Sequence, residues 1–213
     1  RRTQSLDYEV IWPVSRTSTM SCFCCPPNMA RFITESSEYA YMQSEDALWT
    51  GMYGASHVKV NLDNGARFTM KQETEYPWNG KIRFSFENVI SDKPFTLKLR
   101  IPGWLRRGSI SINGSAFLSL DKSAAGTYVD VRIEHIADTV VELDLDMTPR
   151  LTIAHTKVEE DLNQVAVEKG PLLYCVESMD TQAEDLGRIM LPVDASFEEG
   201  KLDIRGHEVV TLE

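Results

Sequence analysis

From residue 80 onward the chain alternates between apolar and polar positions. Ile82, Phe84 and Phe86 are separated by Arg83 and Ser85, and Leu97, Leu99 and Ile101 by Lys98 and Arg100, the period of two expected of antiparallel strands that bury one face. Val129, Val131 and Ile133 repeat the pattern, as do Val141, Leu143 and Leu145. Asn64-Gly65 and Asn113-Gly114 carry the commonest hairpin-turn dipeptide. Short strands separated by such turns predict a mainly β fold built on an antiparallel β-sandwich from about residue 46, with Phe84, Phe86, Leu97, Leu99, Ile101, Val131, Leu143 and Leu145 facing the core. Near Pro149 the pattern softens. Leu151 to Ala154 and Val165 to Val176 read as strands of a second β unit, and Thr181 to Gly200 as an acidic, irregular tail.

The first 45 residues follow another rule. Residues 1–25 show no clean period and read as a loop feeding a helix. Pro26 and Pro27 suit a helix entrance, where a missing N–H costs nothing, and Met29, Phe32, Ile33, Ser36 and Ala40 then share one helical face. This helix is expected to end near Met42 to Ser44. The resulting organisation is a helical segment over 1–45, a β-sandwich over 46–149 and an incomplete second β domain over 150–213.

Composition narrows the function classes. The 213 residues are 42% hydrophobic and 25% charged, a globular balance. No stretch reaches the 18 or so apolar residues of a membrane span, so no membrane partner is expected. The formal charge of −10 is uninterrupted by any dense Lys/Arg run, which removes the footprint of a nucleic-acid binder and favours a neutral or cationic partner. The chain opens on Arg1 with no apolar segment in its first ten residues, and the expectation is that it begins inside a longer protein or after processing.

One stretch is chemically unusual. Cys22, Cys24 and Cys25 crowd together while Cys175 stands far downstream, which is not a disulfide framework. Adjacent thiols at a helix N-terminus sit where the dipole favours thiolate, the form that attacks electrophiles and binds zinc. Inert buried thiols are the competing reading, evenly weighted on spacing alone. His57, His135, His155 and His207 are scattered without metal-ligand spacing and read as ordinary imidazoles. Glu159-Glu160-Asp161 could supply a general acid and base, but reads better as a solvated loop. Trp49, Tyr53, Tyr76, Trp78 and Trp104 could stack on sugars, although core packing accounts for most aromatics in a sandwich; the turn Tyr76-Pro77-Trp78-Asn79-Gly80 is the exception expected to be partly exposed.

Four stretches, in this order, carry a resemblance: Cys24-Cys25-Pro26-Pro27-Asn28-Met29-Ala30-Arg31, Gln72-Glu73-Thr74-Glu75-Tyr76-Pro77-Trp78, Leu99-Arg100-Ile101-Pro102-Gly103-Trp104, and Val165-Ala166-Val167-Glu168-Lys169-Gly170-Pro171-Leu172-Leu173-Tyr174-Cys175. Over roughly residues 8–176 the chain resembles the C-terminal part of glycoside hydrolase family 127, the β-L-arabinofuranosidase group. The resemblance implies that residues 1–45 end an (α/α)₆ barrel holding the active site, with β-sandwich domains after it. It also implies that Cys24 is the nucleophile and that Cys24 and Cys25 bind Zn²⁺. The family's remaining ligands, a Glu and a Cys, and its acid/base Glu are then expected upstream of this chain, and Cys22 is outside the motif.

The implied chemistry is retaining hydrolysis of β-linked L-arabinofuranose or a related sugar in plant-derived glycans. Zinc keeps the thiol ionised, the thiolate forms a thioglycosyl intermediate, and a carboxylic acid protonates the leaving oxygen before activating water. The fragment alone is then expected to be inactive and to hold zinc weakly or not at all. The alternative is a non-catalytic sandwich that acts as a scaffold or carbohydrate-contacting module. The apolar face of the helix is expected to seek cover on the sandwich or on a second chain, as in a homodimer. A reduced cysteine cluster suits a reducing or zinc-protected setting, in bacterial cytoplasm or periplasm.

Overall fold

The computed structural model describes residues 24–177, 181 and 188–213; Cys22, the loop expected before Cys24 and much of the expected acidic tail lie outside these. Helix α1 (Cys25–Glu35) comes first, and a 3₁₀ turn over Ser36–Tyr39 continues it. Strands β1 (Tyr41–Gln43), β2 (Ala47–Thr50), β6 (Phe95–Arg100) and β9 (Tyr128–Ile133) make a four-stranded sheet in the order β1-β2-β6-β9. Strands β3 (Ser56–Asn61), β4 (Arg67–Thr74), β5 (Lys81–Ser91), β7 (Arg107–Ile112), β8 (Ser115–Asp121) and β10 (Val140–Leu145) make a six-stranded sheet in the order β3-β4-β5-β10-β7-β8.

The two sheets share one core. Leu97, Leu99 and Val131 from the first meet Phe84, Phe86 and Leu143 from the second, and all are buried. Phe95 bridges the layers, its ring 4.7 Å from Phe68 and 5.6 Å from Phe86. The eight positions expected to face inward are buried, as period two requires when a sheet has one wet face.

Three local expectations need correction. The helix ends at Glu35 rather than near Met42. The Thr34 and Ser36 hydroxyls donate to the carbonyls of Arg31 and Ile33 at 2.7 and 2.8 Å, and the Ala40 carbonyl is taken by the amides of Gly51 and Met52, so the next residues enter β1 instead of another helical turn. Pairing is not wholly antiparallel either, because β2 runs parallel to β6. A parallel pair needs a long crossover, and β3 to β5, lying in the other sheet, provide it. Third, Asn64-Gly65 sits in a loop longer than two residues, closed by Leu62 and Ala66, with Gly65 at φ +92°. Asn113-Gly114, at φ +51° and +75°, is a two-residue hairpin as expected.

A three-stranded antiparallel sheet follows the sandwich: β11 (Arg150–Thr152), β12 (Ala166–Lys169) and β13 (Leu172–Tyr174). A hairpin of β14 (Glu199–Ile204) and β15 (His207–Leu212) ends the chain. Lys169 is buried and ties three parts together, its ammonium donating to the Trp78 carbonyl at 2.6 Å and pairing with Glu199 at 3.2 Å. No described helix is long and apolar enough to cross a membrane.

Candidate functional site

Cys24 caps the N-terminus of α1 and Cys25 opens it. Both are exposed, and their sulfurs lie 3.6 Å apart. Pro26 and Pro27 remove two N–H groups that would lack intrahelical partners, so the turn costs little in lost hydrogen bonds. The Asn28 amide donates back to the Cys24 carbonyl at 3.4 Å, and Arg31 Nη1 donates to Asn28 Oδ1 at 2.6 Å. The first turn is thus fixed by bonds from Asn28 and Arg31 beside the sulfur pair.

The donor set suits a soft divalent ion. Two thiolates on a tetrahedral zinc, each at about 2.3 Å, would stand about 3.8 Å apart, close to the spacing found here. Among the described residues no group of three or more His, Cys, Asp or Glu gathers around any point. Cys175 is exposed elsewhere.

The other candidates separate. His57, His135, His155 and His207 are all exposed and on different elements. His135 approaches Asp92 at 3.7 Å, and His155 accepts from the Lys157 amide at 3.1 Å. Glu159, Glu160 and Asp161 form one exposed 3₁₀ turn, a solvated turn rather than a catalytic pair.

The aromatic residues do not form one platform. Tyr53 is buried, its hydroxyl donating to the Arg100 carbonyl at 2.5 Å, and burial pushes its phenol far up. Tyr76 packs edge-on against it with ring centres 5.9 Å apart, and Trp104 lies against the core. Trp49 meets Tyr128 edge-on with ring centres 4.9 Å apart, and the Lys98 ammonium lies over the Trp49 ring. Trp78 is half-buried, as the turn predicted, with its carbonyl committed to Lys169.

Sequence reasoning passed over a polar cluster where the sandwich meets the three-stranded sheet. Arg150 donates from Nε and Nη2 to Glu168 Oε2 at 2.9 and 2.7 Å and from Nη1 to the Trp104 carbonyl at 3.1 Å. The Thr152 hydroxyl adds a third bond to the same carboxylate oxygen at 3.0 Å. Arg150 foremost, then Thr152, hold Glu168 below the ordinary glutamate range. The available signal was arginine in an acidic chain beside predicted strand ends.

Residues 47–147 match the middle domain of the GH127 β-L-arabinofuranosidases, and residues 149–210 match the C-terminal domain of glycoside hydrolase family 127. The chain belongs to glycoside hydrolase family 127. The cysteine pair precedes both matched segments. Within the family, the chain is 30% identical over 178 residues to a non-reducing end β-L-arabinofuranosidase of Bifidobacterium longum subsp. longum, an alignment spanning 79% of this chain and 25% of that protein. A solved glycoside hydrolase superposes with a TM-score of 0.85 at 37% identity, over 97% of this chain and 34% of the other. A GH127 β-L-arabinofuranosidase from Geobacillus stearothermophilus T6 gives 0.82 at 34% identity, over 94% and 31%. This GH127 chain therefore spans between a quarter and about a third of the length of these relatives.

Proposed function

We propose that the chain is the C-terminal part of a retaining glycosidase that removes β-linked L-arabinofuranose from plant-derived glycans, with Cys24 as nucleophile and Cys24 and Cys25 as zinc ligands. One observation carries the reading: two adjacent, exposed thiols with sulfurs 3.6 Å apart at the start of α1, in a family 127 chain whose similar proteins are named β-L-arabinofuranosidases. Bound zinc would supply the positive charge that keeps both thiols ionised near neutral pH. Cys24 Sγ, open to solvent, can then reach an anomeric carbon. Its attack makes a C–S bond as the glycosidic C–O bond breaks, and the leaving oxygen takes a proton from a carboxylic acid. That acid and the remaining ligands belong, in this reading, to the portion of the relatives that this chain does not span. Water then displaces the sulfur from the opposite face, and two inversions give retention. Cys25 holds its neighbour in register, and the Arg31–Asn28 bond steadies the turn beneath both.

The test uses the full-length protein that contains this segment. Cys24→Ser should lower kcat by about four orders of magnitude or more, as loss of a covalent nucleophile does, with no recovery in added zinc. Cys25→Ser should lose zinc and regain part of its activity when zinc is in excess. Peptide mapping after a mechanism-based inactivator should place the sugar on Cys24. An adduct on a carboxylate, or an active Cys24→Ser enzyme, overturns the assignment.

A further inference from the structure

The chain carries a net charge of −10, yet cations collect at one place. Arg106, Arg107 and Arg150 line a cleft of about 390 Å³ together with Asp146, Thr148 and Pro149. It lies at the seam between the two family segments, 47–147 and 149–210, and junctions between domains are where ligand clefts concentrate.

Its charges are unequally matched. Arg107 donates from Nε and Nη2 to Asp146 Oδ2 at 3.1 and 2.9 Å, while Asp146 Oδ1 accepts from the Thr148 amide and hydroxyl at 3.0 and 2.6 Å. These bonds, with that of the Thr148 hydroxyl foremost, hold the Asp146 carboxyl low, so it stays ionised and engaged. Arg150 is paired in the same way with Glu168, which does not line the cleft. Arg106 is different. It is exposed, and among the described residues it enters no hydrogen bond or ion pair, reaching Glu168 only through space. Three guanidinium groups thus answer to two carboxylates, leaving one positive charge uncompensated.

From this we infer that the cleft is a subsite for the carboxylate of an acidic sugar, a uronic acid unit of a glycan, with Arg106 as its bidentate donor. A singly charged planar group fits the single spare charge and the fork of a guanidinium better than a dianion does. Arg107 and Arg150, already fixed by their own partners, shape the walls and add to the field, and Pro149 offers an apolar surface for a ring. That the carboxylate belongs to a sugar rests on the proposed function; the charge imbalance does not.

The experiment follows backbone amide shifts of the 213-residue chain on titration with digalacturonic acid, the neutral disaccharide of galactose, and inorganic phosphate. Digalacturonate should perturb residues 106–107 and 146–150, bind at least about tenfold more tightly than the neutral disaccharide, and weaken in about 0.5 M NaCl. Arg106→Gln should raise its Kd about tenfold, as loss of one charged fork does, with Arg106→Lys between the two. Arg83→Gln, on the outer face of the six-stranded sheet, should change nothing. Equal binding of both disaccharides, tighter binding of phosphate, indifference to Arg106→Gln, or no perturbation at all overturns the subsite. Cys24→Ser in the full-length protein should bind digalacturonate normally, so loss of the glycosidase reading and loss of this one register separately.

Discussion

In the sandwich, Phe84, Phe95, Leu97, Leu99 and Ile101 are all 0% exposed, whereas along α1 Met29, Phe32 and Ile33 are 57, 53 and 65% exposed and no residue is buried. Both regions have regular apolar patterns. The sandwich answers its pattern internally, because each sheet offers the other an apolar face. The helix has a pattern of the same quality with nothing in the described chain set against it, and it carries the cysteine pair. The candidate chemistry thus stands on the element that this part of the protein does not itself cover, which agrees with a site completed by the rest of a longer enzyme.

The strongest way to break that contrast is to damage the sandwich. Phe84 is fully buried, with its ring 6.4 Å from that of Tyr53, and Phe84→Ala should cost about 3–5 kcal/mol through lost burial and the cavity left behind. Urea denaturation of the 213-residue chain measures it. A loss under about 1 kcal/mol would mean the core repacks freely and the sheets are not held as described.

How much of this was legible in the sequence differs from element to element. Alternation revealed the strands and their inward faces because period two is a local signal, and Asn113-Gly114 marked its hairpin because both residues tolerate positive φ. The parallel pairing of β2 with β6 was not legible, since it depends on three intervening strands leaving for the other sheet. The helix ended early through local bonds of the Thr34 and Ser36 hydroxyls to carbonyls three residues back, followed by the capture of the Ala40 carbonyl by Gly51 and Met52. The terminal hairpin was missed because its alternation is weak and its turn, Arg205-Gly206, is less distinctive. At the site, the adjacent cysteines stood out by chemistry alone. The arginine cleft did not, because Arg106 and Arg150 become neighbours only when the second sheet docks.

A middle-sized effect is expected at Lys169, where the sandwich joins the rest of the chain. Its ammonium is almost wholly withdrawn from solvent, yet serves the Trp78 carbonyl and Glu199. Lys169→Met keeps the length of the stem and removes both bonds, so the cost should be about 1–3 kcal/mol. Hydrogen exchange adds location: protection should fall in β12 to β15 while β5 and β10 stay protected. Equal loss everywhere would make the chain one cooperative unit and erase the seam.

The smallest effect sharpens the comparison most. Phe32 is 53% exposed on α1, and in the 213-residue chain Phe32→Ser should change the denaturation midpoint by no more than the equivalent of about 0.5 kcal/mol, the range of surface substitutions. In the full-length protein the same change should cost several times more, because there the ring is expected to be covered, and removing a buried phenyl costs about 3–5 kcal/mol. The paired measurement separates two explanations of the bare helix. If the loss is small in both proteins, the apolar stripe of α1 is covered by nothing, and the cysteine pair stands on an unsupported turn poorly suited to holding a metal. If the loss is already large in the 213-residue chain, the helix packs within it or against a second copy, and sedimentation of the chain at two concentrations tells these apart. Only a small loss in the chain and a large one in the full-length protein agrees with a helix whose buried face, and whose active site, are completed from outside these residues.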